Sequence, residues 1–196
     1  MNVAIVKYNA GNICSVDYAL RRLGIEAVVT ADAELLQKAD KVIFPGVGEA
    51  HTTMQHLRQQ GLDRVIAALR QPTLGICLGM QLMCRFSDEG GVDCLGIFDA
   101  EVKRFPAGKQ QEKVPHMGWN TLGNVKDGLF DHRQEGQYVY FVHSYYVPVN
   151  ESTAAVTDYI LPFSAALKKD NFYATQFHPE KSGAVGEAIL KNFLNL

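Results

Sequence analysis

The stretch Thr73-Leu74-Gly75-Ile76-Cys77-Leu78-Gly79-Met80-Gln81 predicts a β-strand that turns sharply into an α-helix, with a cysteine at the turn. This is the pattern of a nucleophile elbow, with sulfur in place of the usual serine oxygen. Gly75 and Gly79 leave room where a Cβ would collide with the cramped backbone. At the start of the helix, the dipole and unpaired N–H groups favour the thiolate, which is the reactive form. The pattern therefore predicts Cys77 as a nucleophile, and a buried structural cysteine is the alternative.

A second motif, Gln176-Phe177-His178-Pro179-Glu180, lies roughly one hundred residues downstream. A cysteine nucleophile needs a base to take its proton and return it to the leaving group, and the base needs an orienting carboxylate. If residues 172–177 form a strand, His178 follows its carboxyl end, where open α/β sheets place their ligands. The two motifs together predict a triad of Cys77, His178 and Glu180. A loop histidine beside an unrelated Glu is the alternative.

The glycine-rich stretch Pro45-Gly46-Val47-Gly48 follows a predicted strand. Glycines at such a turn can cradle phosphate, but the Lys and Ser/Thr of a P-loop are missing. Acyl transfer instead needs two backbone N–H donors at the oxyanion, and loss of one such donor costs about 3 kcal/mol. We expect one donor to be the N–H of Leu78, directly after the nucleophile. A plain tight turn is the alternative for the glycine stretch.

The order of predicted elements indicates an α/β fold. The apolar run Val3–Val6 is typical of a strand covered on both faces, and Ile13 to Leu23 has helical spacing, with Asn12 as its N-cap and Gly24 as its stop. Strands are predicted over 25–30 and 41–44, and helices over 33–39, 49–60 and 62–69. This alternation predicts a single domain over 1–196, with a mostly parallel central sheet and helices on both faces.

After residue 100 the pattern changes to alternating and aromatic stretches. These predict largely antiparallel strands appended to the parallel sheet, over 100–105, 121–122, 138–149, 153–159, 163–167 and 172–177. A polar loop is expected over 109–113, and a last helix has Val185 to Phe193 along one face.

Composition excludes several classes of protein. The 196 residues include 19 Lys plus Arg against 21 Asp plus Glu, which gives no electrostatic case for nucleic-acid binding. The apolar run after Met1 is too short for a signal peptide or a membrane span, so we expect a cytoplasmic protein without membrane attachment. The spacing of Cys14, Cys77, Cys84 and Cys94 argues against a zinc site and a disulfide framework, and we expect no metal or cofactor.

The elbow, the motif Gln176-Phe177-His178-Pro179-Glu180-Lys181-Ser182 and the glycine stretch together resemble the class I (triad) glutamine amidotransferases. Within that family, Pro115-His116-Met117-Gly118-Trp119-Asn120 and Phe141-Val142-His143-Ser144-Tyr145 resemble the glutaminase subunits of imidazole glycerol phosphate synthases. The motifs cover nearly the whole chain. The resemblance implies a flavodoxin-like fold, hydrolysis of L-glutamine through a cysteinyl thioester, and delivery of ammonia to a (β/α)8-barrel synthase subunit in a heterodimer.

The resemblance also implies roles for residues around the triad. It puts the second oxyanion donor at Val47 or Gly48. It makes Gln81 and Glu89 the residues that hold the amino-acid end of glutamine, and a free α-amino group does favour a carboxylate. Asp88 is the alternative to Glu89, and a solvated turn is the alternative to both.

The stretch His143-Ser144-Tyr145 is implied to contact the glutamine α-carboxylate, with an ordinary strand end as the alternative. We expect Trp119 and Asn120 at the partner interface, because aromatic anchors dominate such interfaces. One segment departs from the family pattern of Asp-Tyr-Gly followed by Gly-Asn: it reads Lys7-Tyr8-Asn9-Ala10-Gly11-Asn12. The departure leaves the triad untouched and leaves open any contact that the usual Asp makes.

Two other functions fit parts of the pattern. One is a glutaminase that serves another synthase, such as anthranilate or pyridoxal phosphate synthesis, and the motif around Trp119 argues against it. The other is a flavodoxin-like binding or regulatory module with a degenerate site. The complete set of Cys77, His178 and Glu180 argues against that reading.

Overall fold

The computed structural model describes residues 1–9, 12–107 and 113–196. Most of the polar loop predicted over 109–113 lies outside these ranges, as do Ala10 and Gly11 of the segment that departs from the family pattern. The strands are β1 (Val3–Val6), β2 (Val28–Thr30), β3 (Lys41–Phe44), β4 (Thr73–Ile76), β5 (Cys84–Ser87), β6 (Val92–Asp93), β7 (Phe98–Arg104), β8 (His116–Thr121), β9 (Tyr138–His143), β10 (Tyr145–Tyr146), β11 (Thr153–Asp158), β12 (Pro162–Lys169) and β13 (Phe172–Thr175). The helices are α1 (Ile13–Arg22), α2 (Ala33–Lys38), α3 (Ala50–Gln59), α4 (Leu62–Ala67), α5 (Leu78–Met83) and α6 (Gly183–Leu194).

The central sheet has seven strands in the order β11-β12-β13-β4-β3-β1-β2. The strands from β13 to β2 are parallel, whereas β12 and β11 add to one edge in antiparallel pairs. Strands β1, β3, β4 and β13 are buried along their whole length, as expected for strands covered on both faces. The prediction of a mostly parallel α/β sheet with appended antiparallel strands is confirmed.

Side-chain alternation along each strand divides the core between the two faces of the sheet. In β1, Ala4 and Val6 join the cluster that packs against α2, α3, α4 and α5, whereas Val3 and Ile5 join the cluster that packs against α1 and α6. Full burial of each large apolar side chain contributes about 1.5–3 kcal/mol relative to exposure. The helices are thereby fixed on both faces, and the carboxyl ends of the parallel strands meet at one edge. No helix in the described ranges is long and apolar enough to cross a membrane.

Several predicted boundaries were wrong in ways that packing explains. The predicted helices each end within two residues of the observed ones, but β2 begins at Val28 rather than Ile25. The N–H of Ile25 instead donates to the carbonyl of Leu20 and continues the end of α1. The strand predicted over 138–149 is broken at Ser144, because β9 pairs with β8 and β10 pairs with β7.

The appended strands are more divided than predicted. Strand β7 is parallel to β5 in a separate four-stranded sheet, β10-β7-β5-β6, and β13 is parallel to β4 in the central sheet. Strands β8 and β9 form a two-stranded antiparallel ribbon. The sequence did not predict a strand over 116–120, where a glycine and polar residues interrupt the alternation of apolar side chains.

Candidate active site

Cys77 lies at the sharp turn between β4 and α5. Its backbone has φ 53° and ψ −109°, which is strained for a residue other than glycine. Its N–H donates to the carbonyl of Thr175 at 2.7 Å. A Cβ on Gly79 would come within 2.0 Å of the carbonyl oxygen of Phe44, and one on Gly75 within 2.8 Å of Met83 Sδ. Close packing therefore requires both glycines, as the elbow pattern indicates.

His178 lies beyond the end of β13 and is completely buried. Its Nδ1 is 2.8 Å from Oε1 of Glu180, and its Nε2 has no hydrogen-bond partner among the described residues. Strand β13 ends at Thr175 rather than Phe177, so a different element holds the histidine: its N–H donates to the carbonyl of Tyr140 in β9 at 3.0 Å. The free Nε2 belongs to a ring that lines the same cavity as Cys77.

The surroundings of His178 favour its charged form. Burial lowers the pKa of His178, but the adjacent sulfur of Cys77 and the hydrogen bond and charge of Glu180 outweigh burial and raise the pKa to about 10. An imidazolium is thus stable at neutral pH beside the sulfur and the carboxylate. That protonation state is the one expected after the histidine has accepted the thiol proton.

Asn12 also belongs to this group. It occupies the N-cap position of α1 as predicted, but its side chain makes no capping bond. Its Nδ2 instead donates to Oε1 of Glu180 at 2.5 Å and lies 3.4 Å from Nδ1 of His178. The left-handed backbone of Asn12 (φ 73°), which Asn tolerates better than most residues, turns the side chain toward the triad. Sequence reasoning missed this contact because capping explained the Asn without it.

A cavity of about 320 Å³ brings Cys77 and His178 together with every residue predicted for the oxyanion site and for substrate binding. Its lining consists of Val47, Gly48, Cys77, Leu78, Gln81, Glu89, Pro115, Val142, His143, Ser144, Tyr145 and His178. Glu180 lies behind His178. Trp119 and Asn120 lie elsewhere.

The glycine stretch lies against the elbow, and its backbone accepts a hydrogen bond from one of the predicted oxyanion donors. The N–H of Leu78 donates to the carbonyl of Gly46 at 3.3 Å, so it does not point freely into the cavity. Tyr8 Oη donates to the carbonyl of Pro45 at 2.5 Å, and a Cβ on Gly46 would come within 2.6 Å of that hydroxyl oxygen. The structure therefore places Val47, Gly48 and Leu78 around the cavity, with the N–H of Leu78 bound to the carbonyl of Gly46.

Glu89, and not the alternative Asp88, reaches the cavity. Asp88 pairs with Lys103 at 3.7 Å. Glu89 is half-buried and accepts a hydrogen bond from the N–H of Ala50 at 2.9 Å. Burial raises the pKa of Glu89, and the nearby carboxylate of Glu49 adds to the rise, whereas the Ala50 N–H opposes it. A cationic ligand group in the cavity would complete the partners of this carboxylate.

His143 and His116 form a buried pair behind the cavity. Nδ1 of His143 donates to the carbonyl of Tyr145 at 2.7 Å, which leaves its Nε2 to accept from Nδ1 of His116 at 3.1 Å. Burial lowers the pKa of His116 to about 4. Burial and the neighbouring His116 and His178 lower the pKa of His143 to about 3, against the opposing hydrogen bond to Tyr145. Both rings are therefore neutral at pH 7.

The lowered pKa values of His116 and His143 make stability pH-dependent. Both groups bind protons more readily in the unfolded chain, where the ordinary pKa is about 6.5, so stability is complete above that pH and falls as the pH drops. We expect each histidine to lower the free energy of unfolding by about 1–2 kcal/mol as the pH falls from 6.5 to 5. Urea unfolding at the two pH values measures this loss. His116→Asn should reduce the pH dependence, whereas His132→Asn at an exposed position should not; equal pH dependence in the two variants would contradict the assignment.

Trp119 and Asn120, predicted at an interface, lie on β8. Trp119 is 55% exposed, next to exposed Met117 and Tyr138, and its ring meets that of Tyr140 edge-on at 6.0 Å. The Nδ2 of Asn120 donates to the carbonyl of Asp158 at 2.8 Å. Trp119 is thus available to a partner, whereas the side-chain amide of Asn120 holds the ribbon against β11.

A model of the family described as glutamine amidotransferase class-I matches residues 5–196. The chain belongs to the class I glutamine amidotransferases. This amidotransferase is 72% identical to the imidazole glycerol phosphate synthase subunit HisH of Bacteroides fragilis and 70% identical to that of Bacteroides thetaiotaomicron, each over 196 residues and 100% of both chains. Among solved structures it resembles a putative GMP synthase protein from Thermoplasma acidophilum, with a TM-score of 0.75 and 22% identity over 100% of this chain and 93% of the other. That likeness concerns the fold.

These relationships make the chain a glutaminase subunit of the HisH type, which serves histidine biosynthesis. The prediction of the family and of this subfamily is confirmed.

Proposed function

We propose that Cys77 attacks the side-chain amide of L-glutamine and that the ammonia released passes to a synthase subunit bound to this chain. The observation that carries the proposal is the cavity itself. It holds a strained elbow cysteine, a histidine with a free Nε2 and a half-buried carboxylate, Glu89, which suits the α-amino group of an amino acid.

The triad geometry supports a two-step acyl transfer. His178 Nε2 takes the proton of Cys77 Sγ, the sulfur bonds to the amide carbon, and the carbonyl oxygen becomes an oxyanion. The C–N bond then breaks as His178 gives its proton to the departing ammonia, which leaves a γ-glutamyl thioester. His178 next activates a water that hydrolyses the thioester, releases glutamate and restores the thiol. Glu180, with Asn12 behind it, orients Nδ1 and stabilises the imidazolium.

Full activity in this proposal requires the glycine stretch to move. The carbonyl of Gly46 has to release the N–H of Leu78, and a peptide at Val47 or Gly48 has to turn its N–H toward the oxyanion. Gly48 has φ 129°, and glycines on both sides of Val47 lower the cost of such a rotation. Each missing donor weakens catalysis by about 3 kcal/mol. In this proposal, the hydrogen bond between Leu78 and Gly46 marks a resting state.

The exposed face of the β8–β9 ribbon is the proposed site of partner contact. Met117, Trp119 and Tyr138 form an apolar surface, and aromatic anchors of this kind dominate interfaces. Trp119 pairs in register with Tyr140, whose backbone binds both His178 and Ser182. A partner that binds Trp119 therefore contacts the β8–β9 ribbon, whose strand β9 positions the catalytic histidine.

The proposed partner is a (β/α)8-barrel synthase subunit in a heterodimer. It uses the ammonia to form imidazole glycerol phosphate and an aminoimidazole carboxamide ribotide by-product. The relatives are named as subunits of imidazole glycerol phosphate synthase, which supports the choice of that synthase as the partner. We still expect the protein to be located in the cytoplasm.

We expect the isolated chain to be a poor glutaminase that the acceptor-loaded partner activates. Ammonia released without an acceptor is largely protonated and useless as a nucleophile, so a closed oxyanion site avoids that loss. Steady-state kinetics of the chain alone, and of the complex with and without acceptor, measure the activation.

Trp119→Ala should weaken complex formation in a binding titration. Leu35→Ala removes a similarly exposed apolar side chain from α2 and serves as the matched control. Full activity of the isolated chain would reject the proposal that the glycine stretch keeps the site inactive until the partner binds. Unchanged binding of the Trp119 variant would reject the proposed interface.

A further inference from the structure

Gln176 contacts the sulfur of Cys77 and has no part in the triad chemistry described above. The residue is completely buried, and its Nε2 lies 3.8 Å from Cys77 Sγ. Besides His178, the sulfur has the carbonyl of Val142 as a neighbour at 3.9 Å. A thiol can donate to that carbonyl, but a thiolate cannot, so the amide of Gln176 favours the ionised sulfur in addition to His178.

The hydrogen-bond donors around Gln176 fix which way its amide points. The carbonyl of Tyr145 can only accept, so the group of Gln81 that lies 3.1 Å from it is the NH2 group. The same Nε2 lies 2.9 Å from the side chain of Gln176, which must present its oxygen there. The NH2 group of Gln176 therefore faces the sulfur, and no other orientation satisfies all three contacts.

In this hydrogen-bond arrangement, both amide hydrogens of Gln81 are donated to other groups of the protein. Gln81 is 4% exposed, and its Nε2 donates to Tyr145 and to Gln176. Only its Oε1 remains for a ligand in the cavity. The carbonyl of Tyr145 is held in turn by Nδ1 of His143, so the arrangement is braced by the buried histidine pair.

We propose that the side-chain amide of Gln176 donates to the Cys77 thiolate and stabilises it, and that Gln81 is a positioning residue that holds Gln176 in this orientation. The role in catalysis rests on the proposed function, whereas the effect on the thiol can be measured without glutamine. Gln176 acts on the reacting atom directly. Gln81 acts on the sulfur only through Gln176.

The test is the pH dependence of Cys77 alkylation by iodoacetamide in the full chain, followed for each cysteine peptide by mass spectrometry. Cys14 is exposed, so its alkylation serves as an internal control for the reactivity of the reagent in the same sample. For Gln176→Met, which removes the donor at similar size, we expect the midpoint for Cys77 to rise by about one pH unit, the size of one hydrogen bond to a charged group. The profile of Cys14 should not move.

A control and a second variant separate this role from a general loss of packing. Thr175→Val removes the buried hydrogen bond from Thr175 Oγ1 to the carbonyl of Phe177, one residue away, and should leave the midpoint unchanged. Gln176→Glu keeps an oxygen for Gln81 but places a carboxylate at the sulfur, so its upward shift should be at least as large. It also provides the test if the Met variant does not fold, as judged by circular dichroism.

Gln81→Met should shift the midpoint in the same direction by a smaller amount, and the double variant should shift no further than Gln176→Met alone. An unchanged midpoint in the folded Gln176 variants, or an equal shift in Thr175→Val, would overturn the proposal. Additive shifts in the double variant would overturn the role of Gln81. Because iodoacetamide alkylation needs no substrate, these outcomes do not depend on whether glutamine is hydrolysed.

Discussion

Cys77→Ser is expected to abolish glutamine hydrolysis and leave the fold intact. A serine hydroxyl ionises far less readily than a thiol beside the same histidine, and the strained turn holds it in the same place. Loss of the nucleophile lowers turnover by about 10⁶-fold in a serine protease with a comparable triad. A glutaminase assay on the complex, with circular dichroism as the check on folding, measures the effect.

The matched control is Cys14→Ser, which makes the same chemical change at an exposed position in α1. That variant should keep the activity of the unmodified chain. Residual activity of Cys77→Ser above about a tenth of the original, a difference of less than about 1.4 kcal/mol in the barrier, would reject Cys77 as the nucleophile.

His178→Ala should remove nearly as much activity as the loss of the nucleophile, because no other described side chain near the sulfur can accept its proton and return it to ammonia. Glu180→Gln should cost less. The amide oxygen can still accept from Nδ1 of His178, while the negative charge that helps to raise the histidine pKa is lost.

The quantity to compare is kcat/KM for glutamine in the two variants, measured on the complex. Loss of the Glu180 charge should also lower the pKa of His178, so the basic limb of the pH profile should move to lower pH in Glu180→Gln. Equal losses in the two variants would contradict the division of roles between base and orienting carboxylate.

Local chemistry made the elbow turn and the grouping of Cys77, His178 and Glu180 predictable from the sequence. The glycines flanking Cys77 are required by contacts within a few residues and with one neighbouring strand, and such short motifs carry their own geometry. The parallel sheet was predictable for a similar reason, because fully buried strands are continuous apolar runs.

The contacts that complete the site depend on residues far apart in the chain. Asn12 reaches Glu180 across 168 residues and Gln176 reaches Cys77 across 99, and neither contact has a local signal. Strand β8 was missed because Gly118 and polar side chains hide its alternation. The hydrogen bond from the N–H of Leu78 to the carbonyl of Gly46 was also not predictable, since it depends on one peptide orientation at Gly46.

The proposed mechanism requires a γ-glutamyl thioester on Cys77, and this intermediate can be trapped. The complex is mixed with labelled glutamine, quenched in acid during turnover, digested, and analysed by mass spectrometry for the adduct on each cysteine peptide. We predict a γ-glutamyl adduct on Cys77 and none on Cys14, Cys84 or Cys94, with no adduct in Cys77→Ser. Turnover of glutamine without an adduct on Cys77 in the quenched samples, or an adduct on another cysteine, would rule out this mechanism.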